Sequence, residues 1–230
     1  MHQSERNRPL SRFMDPPADA ALETNCLPDR ELRSGVGEAD YVGEVIESST
    51  TEALAEARQL NAAPPFGGFV RIDSALPAVG IVCNVSTQSL EANRRPAAYG
   101  KTERELRLEQ PQIFELLRTH FQILIVGYLE GEQPVPVLPP HPAPIHSFVY
   151  ECTGELVCAC TASDEFLRNI LNTSGPAADQ LLIATLRHAL RARDDSRDYL
   201  VAMGKSLSRL LRDDYDRLSS LIRRIALTLN

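Results

Sequence analysis

Two tripeptides in the chain have the residue types that bind phosphate in nucleotide-binding proteins. Gly100-Lys101-Thr102 and Gly204-Lys205-Ser206 both match the end of the phosphate-loop motif. That loop also needs a glycine five positions before its Gly-Lys pair, so that free backbone amides can surround the phosphate. Arg95 and Tyr199 occupy those positions here. We therefore do not predict nucleotide binding at either place.

A group of histidines and cysteines is the second candidate for chemistry. The group consists of His141, His146, Cys152, Cys158 and Cys160. A zinc site would need four such ligands to converge, and these spacings are not those of a zinc finger. Cys158 and Cys160 are predicted instead to be small buried residues on one face of a strand. No metal and no cofactor is predicted, and convergence of the group on a metal is the alternative.

The remaining titratable residues do not form a recognisable catalytic set. His120 and His188 are expected on or beside helices, as surface residues or residues with satisfied hydrogen bonds. The pairs Asp194-Asp195 and Asp213-Asp214 are expected at helix ends, where water solvates them. The chain also contains no Gly-x-Ser-x-Gly nucleophile motif. The sequence therefore predicts no catalytic site and a protein that is not an enzyme.

The charge distribution disfavours a protein that wraps nucleic acid. The whole chain has a formal net charge of −7, and phosphate neutralisation requires clustered lysines and arginines. Residues 181–230 differ, with ten Lys and Arg against six Asp and Glu, which leaves 14 against 25 for residues 1–180. The basic end supports an alternative function, a DNA-processing accessory factor that binds nucleic acid through its C-terminal helices. Its contacts would be Arg209, Arg212, Arg217, Arg223 and Arg224.

Cysteine usage and hydropathy indicate the compartment. The five cysteines are an odd number without the spacing of a disulfide framework. Residues 1–34 contain no apolar stretch typical of a signal peptide. The longest apolar run, Ile123–Leu129, is too short to cross a bilayer. We therefore expect a cytoplasmic protein that does not associate with a membrane.

Five segments have the composition of β-strands, being rich in β-branched or alternating apolar residues. They are Tyr41–Glu47, Phe69–Ile72, Val79–Val85, Phe121–Leu129 and Ile145–Tyr150. Glu52–Leu60 is ambiguous, because Ala and Glu favour a helix whereas a barrel would need a further strand there. Six prolines between Pro134 and Pro144 cannot donate hydrogen bonds to a sheet. That segment is therefore expected at an edge or over the surface.

Helix signals occur once between the strands and then throughout the C-terminal part. Thr102-Glu103-Arg104-Glu105 is a capping box. Pro111 ends the helix that starts there and opens a further helical turn through Thr119. After Thr161 the apolar period becomes about 3.6 residues. The C-terminal helices are expected to cover the barrel or form a small bundle, with a break or bend at Asp213-Asp214, and a homo-oligomeric coiled coil from Leu211 onward is the alternative.

Three glycine-punctuated strands carry a family resemblance. Val42–Ser48, Gly67–Ile72 and Val79–Val85 together resemble the HAS barrel, the small β-barrel named for HerA and ATP synthase. The stretch Gly80–Tyr150 is similar to stand-alone HAS-barrel proteins of bacteria, cyanobacteria especially. In HerA-type ATPases the barrel helps to assemble the ring and to contact partners such as a nuclease. The motor domain has no counterpart here, because helical residues without an intact phosphate loop follow the barrel.

The sequence thus predicts an α+β protein, a small closed HAS-like β-barrel followed by a helical C-terminal domain. Residues 1–40 would be a disordered arm, residues 41–155 the barrel with one or two helices inserted at about 102–119, and residues 161–230 the helical domain. The predicted function is that of a non-enzymatic assembly or adaptor protein, which binds a ring ATPase or a second copy of itself. The residues expected at partner-binding surfaces are Arg94, Arg95, Pro139, Pro140, His146, Arg217, Arg223 and Arg224.

Overall fold

The described part of the chain contains a barrel followed by helices. A computed structural model describes residues 40–90, 97–173, 177–194 and 196–228. The arm predicted for residues 1–40 therefore lies outside the described residues, apart from Asp40. Within them, six antiparallel strands close into a barrel and five helices follow it. The predicted α+β class, a closed barrel with a helical C-terminal part, is confirmed.

Seven strands form a single sheet within the described residues. Their order around the barrel is β2-β1-β7-β3-β4-β5, and pairing between β2 and β5 closes it. The short β6 pairs with the end of β5, beyond the reach of β2. The strands are β1 (Gly43–Ser48), β2 (Glu52–Ala57), β3 (Phe69–Ile72), β4 (Ala78–Ser89), β5 (Leu117–Glu130), β6 (Gln133–Val135) and β7 (Phe148–Glu151).

The ambiguous segment Glu52–Leu60 is a strand over its first six residues, β2. Its Ala53 and Ala55 are buried inside the barrel, and Ala55 is the register partner of Phe121. Small side chains fit there because the fully buried Phe121 ring occupies the interior. Pairing with strands on both sides therefore outweighs the local helix preference of Ala and Glu.

The central apolar run faces two separate cores. Ile123 and Ile125 belong to the core inside the barrel. Leu124 and Val126 belong to a second core, between the barrel wall and the C-terminal helices. A strand that is buried on both faces needs an apolar residue at every position. This requirement explains the four consecutive buried apolar residues Ile123–Val126. The side chains of the inner core fill the barrel interior.

Two short helices connect β4 to β5, namely α1 (Glu103–Glu109) and α2 (Gln112–Glu115). The predicted capping box is confirmed, because Thr102 Oγ1 accepts the backbone N–H of Glu105 while the Glu105 carboxylate accepts that of Thr102. Pro111 separates the two helices as predicted. The prediction that the second helix runs through Thr119 was wrong at the C-terminal end of the helix. Residues from Leu117 onward pair with β4 as part of β5.

The helical part consists of α3 (Gly154–Cys160), α4 (Glu165–Leu171), α5 (Ala178–Arg191), α6 (Arg197–Leu210) and α7 (Tyr215–Thr228). These helices pack on each other and on the barrel around the fully buried Leu182, Leu207 and Leu221. The break predicted at Asp213-Asp214 is confirmed, because these two residues separate α6 from α7. The longest helices described have 14 residues, and none combines the length and apolar character that a membrane crossing requires.

Candidate interaction surface

The connection between β6 and β7 follows the barrel and is fixed to it at several points. We call residues 136–147 the strap. Within it Pro139 is buried, and Ala143 packs against the core inside the barrel. Near its end the backbone N–H of His146 donates to the carbonyl of Val45 in β1, at 2.9 Å. The strap is therefore held in place although it has no regular secondary structure.

Apolar side chains project from the strap into solvent. Val137, Leu138 and Ile145 keep 59%, 46% and 47% of their surface exposed. Full burial of such a side chain stabilises a protein by about 1.5–3 kcal/mol. Because these three side chains stay partly exposed, the fold does not gain the whole of this stabilisation. Neighbouring prolines fix φ and lack an N–H donor. The strap thus presents apolar surface on a backbone of few conformations.

The three predicted partner-binding residues of the strap have different environments. Pro139 is buried and contributes to anchoring the strap. Pro140 is exposed on its outer side. His146 is exposed, has a positive φ of 70°, and contacts the Glu44 carboxylate through its Nδ1 atom. Pro140 is therefore available for contact, whereas His146 is exposed but already paired with Glu44.

Several arginines of the basic end already have carboxylate partners. Arg217 of α7 donates two hydrogen bonds to Oδ1 of Asp179 in α5, at 2.9 and 2.7 Å. Arg209 pairs with Asp164 at 3.0 Å, and Arg212 pairs with its neighbour in sequence at 3.3 Å. A phosphate would compete with these carboxylates for the guanidinium groups. Three of the five arginines proposed for nucleic acid are therefore engaged within the protein.

The other predicted arginines differ from these. Arg223 is exposed and has no ion-pair partner among the described residues, and Arg224 is half-buried on the same helix. Arg94 and Arg95 lie outside the described residues. The described members of the predicted partner-binding set lie on two separate elements, the strap and α7.

Neither phosphate-loop-like tripeptide forms a loop of free amides. Lys101 pairs with Glu109 on the surface of α1. Thr102 caps the N-terminus of α1, so its hydroxyl is occupied by that helix. Gly204-Lys205-Ser206 lies in the interior of α6, where backbone N–H groups bond within the helix. Neither tripeptide therefore has the backbone geometry of a phosphate loop.

The predicted strand position of Cys158 and Cys160 was wrong. Both residues lie on α3, which begins after the cap residue Thr153, whose Oγ1 accepts the backbone N–H of Leu156. Cys158 is buried as predicted. All members of the histidine and cysteine group are described, and they form no cluster of three or more residues that could hold a metal ion.

The thiols are held in their protonated form by burial. Burial raises the pKa of Cys83 to about 11, with the charge of Glu52 adding to the effect. Burial likewise raises the pKa of Cys160 to about 12. The pKa of Cys152 is raised further still, by burial and then by the nearby thiol of Cys160. Because the thiolate is the reactive form, burial makes these three thiols weaker nucleophiles at neutral pH.

A cleft between the barrel and α5 places three titratable residues together. Glu151, Cys152 and His188 line this cleft of about 190 Å³. Burial lowers the pKa of His188, and the positive charges of Arg191 and Arg187 lower it further. A neutral imidazole beside a protonated thiol does not form the thiolate–imidazolium pair of cysteine hydrolases. The cleft therefore lacks an activated nucleophile.

His120 was predicted on or beside a helix, and this placement was wrong. It lies in β5, where its Nδ1 atom is 2.9 Å from Nε2 of Gln88. Its Nε2 atom is 3.6 Å from the carboxylate of Glu56 in β2. These contacts join neighbouring strands, which is the role expected of a residue with satisfied hydrogen bonds.

Sequence reasoning identified the proline segment but not the residues that make it a surface. Val137 and Leu138 were not singled out, and Ile145 was expected to begin a strand. The signal was present, because large apolar residues between prolines cannot join a central strand. Such residues must either pack under a loop or remain exposed.

A scan against protein-family models and a search of curated proteins each find no match to this chain. The HAS-barrel resemblance therefore stays a prediction, and the function has to be inferred from the residues and their geometry.

Proposed function

We propose that this protein is a non-enzymatic adaptor and that the strap is the surface on which a partner protein docks. The observation that carries the proposal is the exposure of Val137, Leu138 and Ile145 on an anchored segment. Apolar side chains that a fixed surface segment leaves exposed are candidates for contact with a partner. Pro140 and His146 would contribute the polar and proline contacts at its edge.

The strap is suited to binding because its backbone is already fixed before a partner binds. Association costs free energy whenever side chains and loops must be fixed. Here the prolines and the anchors at Pro139, Ala143 and His146 have already fixed the backbone. Proline-rich ligands with such backbones dock in grooves lined by aromatic residues. We infer a partner that presents a groove of this chemistry.

The packed barrel interior and the protonated thiols favour an adaptor over an enzyme. The interior is filled by side chains such as Phe121 and Ile123, so the barrel binds through its outer surface. The resemblance to the HAS barrel makes a ring ATPase or a nuclease the first partner to test. The four described cysteines form no disulfides, which supports a reducing compartment such as the cytoplasm.

The second candidate function, nucleic-acid binding through the basic helices, has weaker support. Of the five arginines predicted to contact nucleic acid, only Arg223 and Arg224 form no ion pair with a carboxylate of the described residues. Two phosphate contacts would give a shallow dependence of binding on salt. Measurable binding to duplex DNA at low salt that Arg223→Ala and Arg224→Ala abolish would favour this function.

The test of the adaptor proposal compares a strap variant with a matched surface variant. The strap variant combines Val137→Ser, Leu138→Ser and Ile145→Ser. The matched variant combines Leu90→Ser, Tyr99→Ser and Leu108→Ser, which remove apolar side chains exposed by 60%, 47% and 78% elsewhere. Each tagged protein is used to capture partners from extract of its native cells, with quantification by mass spectrometry.

We expect at least one protein to be captured by the wild type and the matched variant and to be lost with the strap variant. Equal capture by all three proteins would contradict docking on the strap. Turnover of a substrate by the purified wild-type protein would contradict the non-enzymatic role.

A further inference from the structure

The outer face of α7 carries an apolar stripe that the rest of the described chain does not cover. Tyr215, Ser219, Ile222 and Ala226 follow one another at steps of four, three and four residues, which places them on one side of the helix. Tyr215 is 76% exposed and Ile222 is 45% exposed. The neighbouring side of α7 joins the core, through the buried Leu221 and Ile225.

Two charged residues flank this stripe on the same side. Asp216 and Arg223 are seven residues, or about two helical turns, apart. Both are exposed, and neither forms an ion pair with another described residue. Asp216 is the second residue of α7, and Arg223 lies near the middle of the helix. The flank therefore has a negative end and a positive end.

We propose that two copies of this chain associate through the outer faces of their α7 helices, which run antiparallel about a two-fold axis. Such an axis passes near Ser219 and Ser220, midway between the two charges. It brings Asp216 of each copy opposite Arg223 of the other, so that two equivalent ion pairs form. The small serines at the centre let the two helices approach closely.

The same arrangement gives the exposed tyrosine a place to bind. An apolar groove of about 150 Å³ lies between α6 and α7, and Met203, Leu207 and Ala226 are among its lining residues. In the antiparallel pair Tyr215 of the second copy lies beside Ala226, at the edge of this groove. The surface is thus self-complementary, with a tyrosine and a groove on each copy. Tyrosine is among the residues that most often dominate binding at interfaces.

The proposal does not depend on the strap, because α7 and the strap are separate surfaces with separate tests. Its experiment measures the molar mass of the full chain by sedimentation or light scattering as a function of concentration. One chain has a mass of 25.5 kDa. We expect the wild-type protein to reach twice that mass as its concentration rises.

Charge exchange distinguishes this interface from any other. In the proposed dimer Asp216→Arg places two arginines opposite each other at both ion-pair positions, and Arg223→Asp places two aspartates there. Because like charges repel, each single variant is expected to stay a monomer at concentrations where the wild type is dimeric. The double variant Asp216→Arg, Arg223→Asp restores both ion pairs in reverse and is expected to dimerise again. Leu108→Ser, on α1, is the matched control and is expected to leave dimerisation unchanged.

Either of two results would overturn the proposal. The first is a wild-type chain that remains a monomer up to about 1 mM, the weak limit of ordinary association. The second is a dimer that both single variants retain, because association would then use a different surface. Circular dichroism of each variant checks that the fold is intact, and recovery in the double variant cannot result from unfolding.

Discussion

The guanidinium of Arg193 lies over the ring of Tyr199, 4.1 Å from its centre, in the interior of the helical part. The same guanidinium donates hydrogen bonds to the carbonyl of Cys158 at 2.6 Å and to the hydroxyl of Thr161 at 2.7 Å. Tyr199 in turn donates its hydroxyl to the carbonyl of Thr161 at 3.2 Å. One buried cation therefore connects the ends of α3 and α5 with the start of α6.

Replacing this arginine is expected to destabilise the fold. Arg193→Met keeps much of the apolar stem but leaves buried acceptors without donors, at about 1–3 kcal/mol for each unsatisfied group. Urea unfolding followed by circular dichroism should show a loss of more than about 2 kcal/mol. Arg187→Met, at an exposed position on α5, serves as control and should change stability by less than about 0.5 kcal/mol. Equal effects of the two substitutions would contradict the role of Arg193.

Gly80 is expected to tolerate no side chain. A β-carbon there would lie 2.3 Å from Cγ2 of Ile123 and 2.8 Å from the backbone oxygen of Leu124. Gly80→Ala should therefore destabilise the barrel by about 1–3 kcal/mol, the usual range for overpacking. Gly154→Ala, where a β-carbon meets no atom within 4 Å, is the control. Thermal unfolding of both variants measures the difference, and a fully stable Gly80→Ala protein would refute the close packing of β4 on β5.

For Gly204 we predict that a substitution increases the stability of the protein. It lies inside α6, and a β-carbon there would meet no atom within 4 Å. Glycine costs about 0.8–1.0 kcal/mol relative to alanine in a helix interior. Gly204→Ala should therefore raise the free energy of unfolding by up to that amount. It would also show that the Gly-Lys-Ser sequence is helical, since a phosphate-binding loop would need the glycine.

Protein stability should fall as the pH drops below about 6.5 because of His188. Its pKa is lowered in the folded protein, by burial first and then by Arg191, from an ordinary value of 6.5. Below pH 6.5 the unfolded chain therefore binds a proton that the folded chain resists, so the equilibrium shifts towards unfolding. Above this range both states are neutral at His188, and the contribution disappears.

Urea unfolding at about pH 7.5 and about pH 5.5 measures this contribution. The loss of stability between the two values should be smaller in His188→Asn than in the wild type. His141→Asn, at an exposed position, should keep the wild-type loss. An unchanged loss in His188→Asn would show that other groups account for the acid sensitivity.

Features that depend on neighbouring residues in the sequence were predictable. The capping box at Thr102 and Glu105 involves residues three positions apart, so the sequence contains all that it needs. The apolar run Phe121–Leu129 predicted a strand, and these residues lie in β5. The break between α6 and α7 at two adjacent aspartates was likewise visible as an interruption of the helical period.

Features that depend on residues distant in the sequence could not be predicted. The strand β2 exists because β1 and β5 pair with it from both sides, against the local preference of its alanines and glutamates. Cys158 and Cys160 have a strand-like spacing, yet the cap at Thr153 begins a helix there. The prolines marked the strap, but which of its apolar residues stay exposed depends on how it follows the barrel.

The central claim, docking of a partner on the strap, is tested most directly by photo-crosslinking in the native cell. A photoreactive phenylalanine analogue replaces Leu138 in one protein and Leu108 in a control, both exposed in the wild type. We predict one dominant adduct with a different protein from position 138 and none of that mass from position 108. The absence of an adduct at 138, or the same adducts from both positions, would contradict the claim.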